Sequence, residues 1–300
     1  MQMHTDSYYA IGTYHSVCQD YALSGSINKN ISYAIISDGC SSSLDVDVGA
    51  RILAHSAKDF FMFQYKGFDC IKDDISRTEE ALRNYLRASS LLISRHLRLH
   101  TSSLNATLIA TVTDGKTTRV FMYGDGGVII GHKDGSITYY YVHYDQNAPY
   151  YLSYDMDEKF KELYLKDYSD QIIYFTNETF TANDLGNRII TCEQVQTKNF
   201  HYGRNEHYFD TAGIYFIMCV SDGIHSFLDM DFSFPTSQKA SKEVGYIEIV
   251  NQMCAIKNYN GSFIQRRMGR MKRDFSKMDR VHFDDVSVSA IYMSEGDENI

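Results

Sequence analysis

Three hundred residues, 44 % of them hydrophobic, can bury a sizeable core without disulfide or metal staples. A formal charge of −9 disfavours a nucleic acid or an anionic membrane as partner, and no apolar run approaches the roughly 20 residues of a membrane span. The six cysteines include no Cys-x-x-Cys pair, which argues against structural zinc; with a polar Met1–Ala10 lacking a signal core, they read as reduced thiols in a cytoplasm.

In chain order, Ile31–Ser37 (ISYAIIS) is an apolar run of strand length that stops at Asp38-Gly39. A serine-rich loop, Cys40–Ser43, leads to a helix over Asp47–Tyr65, where Val48, Ile52, Leu53, Ala57, Phe60 and Phe61 recur at helical spacing. A second helix is expected from Thr78 to about His100, with Leu82, Tyr85, Leu86, Ile93 and Leu97 as its stripe. Two hairpins follow. One joins Ala106–Val112 to Arg119–Tyr123 around Asp114-Gly115; the other joins Val128–Gly131 to Ser136–Val142 around Asp134-Gly135. The stretch 144–209, rich in Tyr, Asn and Asp, is expected to hold short strands and a surface flap. Ile214–Val220 (IYFIMCV) reads as a buried strand ending in Ser221-Asp222-Gly223. Lys242–Tyr259 and Phe263–Met278 read as helices, the second strongly basic, and Val286–Met293 as the closing strand. With two prolines and no Gly/Ser linker, 1–300 is read as one domain of α+β class.

The chemistry concentrates in aspartates next to strands. Ser37-Asp38-Gly39 and Ser221-Asp222-Gly223 repeat one tripeptide, Gly124-Asp125-Gly126 follows a third strand, and Asp284-Asp285 precedes the last. Hard divalent cations take oxygen ligands from several chain segments. Asp-Gly is also the common hairpin turn, which suffices for Asp114-Gly115 and Asp134-Gly135. It suits Asp38 and Asp222 poorly, because each leads from an apolar run into a polar loop rather than a return strand.

Five segments in order resemble the type 2C (PPM) metal-dependent protein serine/threonine phosphatases: Cys18-Gln19-Asp20, Tyr33 to Gly39, Tyr123-Gly124-Asp125, Cys219 to Ile224, and Asp284 to Val288. The loop Cys40–Ser43 with Val48-Gly49-Ala50-Arg51 is similar to a divergent prokaryotic-style branch. The resemblance implies a four-layer α-β-β-α sandwich, two antiparallel sheets flanked by helix pairs. It implies two Mn²⁺ or Mg²⁺ ions and a weaker third. Asp38 would bridge the core pair, aided by the Gly39 carbonyl. Asp222 and Asp284 would each hold or share an ion, Asp125 would join Asp222 at the third, and Asp20 would orient bound water. A water between the ions would attack the phosphorus of phosphoserine or phosphothreonine in a protein substrate.

Three departures stand out beside Ser226, which follows Asp222 where the family is often acidic. Gln19 replaces an acid of the family, His15 stands where an arginine grips phosphate, and Cys40 replaces a histidine that follows Asp-Gly. They motivate the alternative of a type 2C-like pseudophosphatase that senses a ligand or binds a partner. Arg51 is the next candidate for the phosphate grip. His15, His55, His96 and His225 lack zinc-ligand spacing, Cys40 lacks a histidine partner in sequence, and the basic run Arg266–Arg273 reads as a solvated helix face.

Overall fold

The computed structural model describes residues 1–72, 74–183, 186–197, 205–211, 213–230 and 241–294. The chain opens with β1 (Gln2–Ala10) and β2 (Tyr21–Ser26), two strands that patterning did not mark because both are rich in polar residues. Next come β3 (Ser32–Ser37), α1 (Val46–Tyr65) and α2 (Ile75–His96). The second helix starts earlier than expected: the Asp74 carboxylate accepts from the Ser76 and Arg77 amides and caps it.

The two hairpins stand as read: β4 (Leu108–Thr113) with β5 (Thr117–Tyr123), and β6 (Gly126–His132) with β7 (Ile137–Tyr144). At their tips Gly115 and Gly135 have φ of +80° and +85°. Asp114 accepts from the Lys116 and Thr117 amides, Asp134 from the Ser136 amide, so both aspartates are turn residues.

The stretch 144–209 is more regular than expected. It holds α3 (Glu158–Asp167), two long strands, β8 (Ile173–Asn183) and β9 (Gly186–Thr197), and β10 (Asn205–Asp210). Polar residues dilute the alternation of β8 and β9, which hid their length. The parts of the expected flap at 184–185 and 198–204 lie outside the described residues. After β11 (Ile214–Val220) come β12 (Phe227–Met230), β13 (Ser241–Glu243), α4 (Tyr246–Cys254), α5 (Phe263–Ser276), β14 (Arg280–His282) and β15 (Val286–Ser294). The expected helix over Lys242–Tyr259 is thus confined to α4, with a short strand before it.

The strands form an antiparallel seven-stranded sheet, β1-β15-β11-β6-β7-β8-β9, an antiparallel five-stranded sheet, β10-β5-β4-β3-β2, and a small β13-β12-β14 sheet. Side-chain alternation sorts residues among three apolar layers. On β3, Ile35 faces α1 and α2 while Ala34 and Ile36 face the other sheet; on β6, Val128 and Ile130 face inward while Ile129 packs toward α4 and α5. Both faces of the central strands are buried, which is why they read as unbroken apolar runs. The result is the expected α-β-β-α sandwich. Cys219 is a core residue of the middle layer, its thiol 3.1 Å from the Thr111 hydroxyl and pushed up to about 12 by burial.

Long-range caps tie the layers together. Asp6 on β1 is buried and accepts from the Ile264 and Gln265 amides, so the edge strand neutralises the positive end of α5. Among the described residues no helix is long and apolar enough to cross a membrane.

Candidate active site

In an antiparallel sheet the end of one strand lies beside the start of its neighbour, so register decides which residues meet. Tyr21 opposes Ser37, which sets Asp20 beside Asp38 at one end of the smaller sheet. Leu108 opposes Tyr123, and the Thr107 amide donates to the Asp38 carbonyl, so Gly124-Asp125 comes to the same end. In the larger sheet Val220 opposes both Gly127 and Val288, which brings Asp125, Asp222 and Asp284 together. The five aspartates singled out in the sequence therefore share one end of the sandwich.

Their positions are fixed by local bonds. The Asp38 amide donates to the Thr107 hydroxyl, and the Ser37 hydroxyl to the Thr107 carbonyl. The Gly39 amide donates to the Gln19 carbonyl, and a Cβ at Gly39 would sit 2.9 Å from the Val46 Cβ, so only glycine lets this turn pack on α1. In the other copy of the tripeptide the Ser221 hydroxyl accepts from the Ser287 amide, where that of Ser37 donates to a carbonyl.

Electrostatically the aspartates strain against one another. Burial pushes the Asp20 carboxyl up to about 7. Burial, then the charges of Asp20 and Asp222, hold Asp38 well above the carboxylate range. Burial, then Asp222 and Asp284, do the same to Asp125. Asp284 is raised by burial and then by Asp222. Both carboxylate oxygens of Asp20 and one of Asp222 are buried without a hydrogen-bond partner. Among the described residues no three donors already converge as a closed metal cage. The donor set nevertheless fits hard divalent cations: all-oxygen, mutually repelling, and carrying orphaned buried acceptors that a cation would satisfy.

Asp285 does different work from Asp284. It is buried and accepts from the Gly12 amide at 2.7 Å and the Gln19 amide at 2.5 Å, fastening the loop between β1 and β2. His15, on that loop, has Nδ1 3.0 Å from Asp285 and Nε2 3.8 Å from Asp284. Arg51 is exposed and its guanidinium lies 5.3 Å from the centre of the Tyr21 ring. Cys40 meets the Ser42 hydroxyl at 3.1 Å rather than a histidine. His55, His96 and His225 contact Tyr21, the Leu92 carbonyl and Tyr139.

Three neighbours were given no role in the sequence reading. Tyr151 is buried, and its hydroxyl is pushed up by burial and by Cys40 and Asp125; it falls in the irregular stretch, where nothing in the pattern marked it. Ser221 and Ser287 neighbour Asp20, and the repeated Ser-Asp-Gly tripeptide was the available signal for the first of them.

Two glycines let 283–285 run between the N-terminal loop and the turn after β11. A Cβ at Gly12 would lie 2.2 Å from the Phe283 carbonyl oxygen, and one at Gly223 would lie 1.8 Å from that of Asp285. Gly223→Ala is expected to destabilise the fold by about 1–3 kcal/mol and to weaken divalent-ion binding by displacing Asp284. Thermal melts with and without Mn²⁺ check this; a variant that melts like the parent under both conditions contradicts it.

Two stacked antiparallel sheets, outer helices and a crown of aspartates at one end make this the fold of the type 2C protein phosphatases. Residues 12–153 match the protein phosphatase 2C family. Among solved structures, a bacterial serine phosphatase superposes with a TM-score of 0.51 at 9 % identity, over 99 % of this chain and 100 % of that one. Serine/threonine phosphatase Stp1 from Staphylococcus aureus gives 0.51 at 9 % identity, over 98 % and 96 %. A SpoIIE fragment from Bacillus subtilis that includes its PP2C phosphatase domain gives 0.50 at 12 % identity, over 99 % of this chain and 65 % of that one. At these identities the likeness is one of fold. No curated protein sequence matches the chain.

Proposed function

We propose that this chain is a divalent-metal-dependent phosphatase acting on phosphoserine or phosphothreonine in proteins. The observation that carries the reading is the mutually repelling Asp20–Asp38–Asp222 group, in which buried carboxylate oxygens of Asp20 and Asp222 have no hydrogen-bond partner. Asp38, Asp222 and Asp284, with the Gly39 carbonyl, would hold two Mn²⁺ or Mg²⁺ ions, and Asp125 with Asp222 a third. Such ions would supply charge neutralisation for the phosphoryl group and lower the pKa of water at the site. Asp20, buried beside Asp38, would hold that water by accepting its hydrogen bonds. The retained carboxylates argue against the pseudophosphatase alternative. Mn²⁺-dependent release of p-nitrophenol from p-nitrophenyl phosphate, abolished by EDTA, is the expected result; hydrolysis indifferent to EDTA would remove the metal-dependent reading.

His15 is proposed to meet the substrate phosphate from the loop pinned by Asp285. An arginine there would offer a permanent charge and a two-pronged donor. His15→Arg is therefore expected to lower the Michaelis constant about threefold to tenfold, the effect of one better charge-assisted contact, and His15→Ala to raise it. Calorimetric Mn²⁺ affinity should change less than the Michaelis constant in both. Michaelis constants unmoved in both variants would confine His15 to anchoring the loop.

A further inference from the structure

Beside the aspartates, a cleft of about 380 Å³ runs along the outer face of β7 toward the start of α4. That volume lies within the range of small-ligand sites. Asp125 and Asp222 line it together with Tyr139, Tyr141, His143, His225 and Tyr246. Tyr141 and Tyr246 are half-buried and His225 is exposed, so the rings are reachable from solvent.

Three of the rings form a box. Tyr141 and His225 have centroids 5.6 Å apart, His225 and Tyr246 5.2 Å, and Tyr141 and Tyr246 6.0 Å. The planes are tilted by 52°, 46° and 58°, so no two make the parallel slot in which a flat guest would stack. Tyr139 floors the box: it is buried, stacks on Tyr141 at 4.7 Å, and its hydroxyl lies 3.1 Å from His225 Nε2. Glu178 on β8 lies against it, accepting from the Tyr246 hydroxyl and the Cys192 thiol. Among the described residues no lysine or arginine lines the cleft. Aromatic rings clustered at the wall of one cleft, with the Glu178 carboxylate behind them and neither lysine nor arginine among the described lining residues, suit a positive charge.

We propose that this box binds a lysine or arginine side chain of the protein substrate, close in sequence to its phosphorylated residue. The proposal rests on the phosphatase reading only for the placement of the phosphate beside Asp125 and Asp222. It makes the protein selective for phosphorylation sites flanked by basic residues. Acid-flanked sites would meet Glu178 unfavourably.

The test is calorimetric titration of the full chain, in Mn²⁺, with peptides carrying a non-hydrolysable phosphonate analogue of phosphoserine. Each peptide has either lysine or uncharged norleucine at one position flanking the analogue. The lysine peptide should bind about fivefold to tenfold more tightly at the best position, the scale of a partly desolvated cation–π contact. Tyr141→Leu and Glu178→Gln should each bring the ratio close to one, while hydrolysis of p-nitrophenyl phosphate, which carries no cation, continues at the parent rate. Equal affinities for both peptides at every position, or a ratio preserved in both variants, would overturn the proposal. A failure of the phosphatase reading shows itself separately, as no hydrolysis of p-nitrophenyl phosphate while the lysine preference persists.

Discussion

Asp38→Asn is expected to lower phosphoester turnover by about a thousandfold, the order reached when a metal site contributing several kcal/mol of transition-state stabilisation is lost. Asp38 stands between Asp20 and Asp222, whose charges both raise its pKa. Asparagine keeps the shape but offers one neutral oxygen in place of a shareable carboxylate. Mn²⁺ affinity, read calorimetrically, should fall with turnover. The metal-free protein should respond in the opposite sense: with one repelling charge removed, the variant should melt no lower than the parent. That contrast separates a ligand from a structural residue. Parent-like hydrolysis by the purified variant would end the two-metal reading, and a large drop in metal-free melting temperature would assign Asp38 to the fold instead.

The second large effect concerns pH. Asp20 titrates near 7 in the folded chain, because burial disfavours its charge, against about 4 when unfolded. Between those values the folded state holds a proton that the unfolded chain has released. Folding stability from this group is therefore full below about pH 4 and is lost as pH rises toward 7. Asp38, Asp125 and Asp284 are raised in the same direction. The EDTA-treated protein should accordingly melt roughly 5–10 °C lower at pH 7 than at pH 5, the reverse of ordinary acid denaturation. Mn²⁺ should abolish the decline by compensating the carboxylates, and Asp20→Asn should flatten it in the metal-free state. A metal-free melting temperature that is level or rises from pH 5 to 7 would show that these carboxylates are not strained as described.

The central strands β3, β6 and β11 were legible in sequence because burial on both faces made them continuous apolar runs with abrupt polar ends. The same abruptness exposed Asp38 and Asp222. What sequence hid was tertiary in origin. β1 looks like a polar tail, but Asp6 on it is a buried cap for α5, more than 250 residues away in the chain. β8 and β9 carry too many polar residues on an outer part of the sheet for alternation to show. The division of labour between Asp284 and Asp285 could not be read from two adjacent identical letters. Only the register of β15 and the approach of Gly12 and Gln19 distinguish them. The aromatic box was hidden for the same reason: Tyr141, His225 and Tyr246 lie on separate elements.

Asp285 has a thermodynamic consequence. It clasps the loop carrying His15 through two amides, and through the next peptide bond it is joined to Asp284. Any event that shifts this loop also shifts Asp284, the carboxylate proposed to bind an ion, and an ion that drew in Asp284 would tighten the loop. Linkage makes the coupling symmetric: whatever factor ion occupancy adds to the affinity of a loop-contacting ligand, that ligand adds to the affinity of the ion. A phosphorylated protein held against the loop would thereby help to load its own catalyst, and at scarce metal the population of charged sites would follow the supply of substrate.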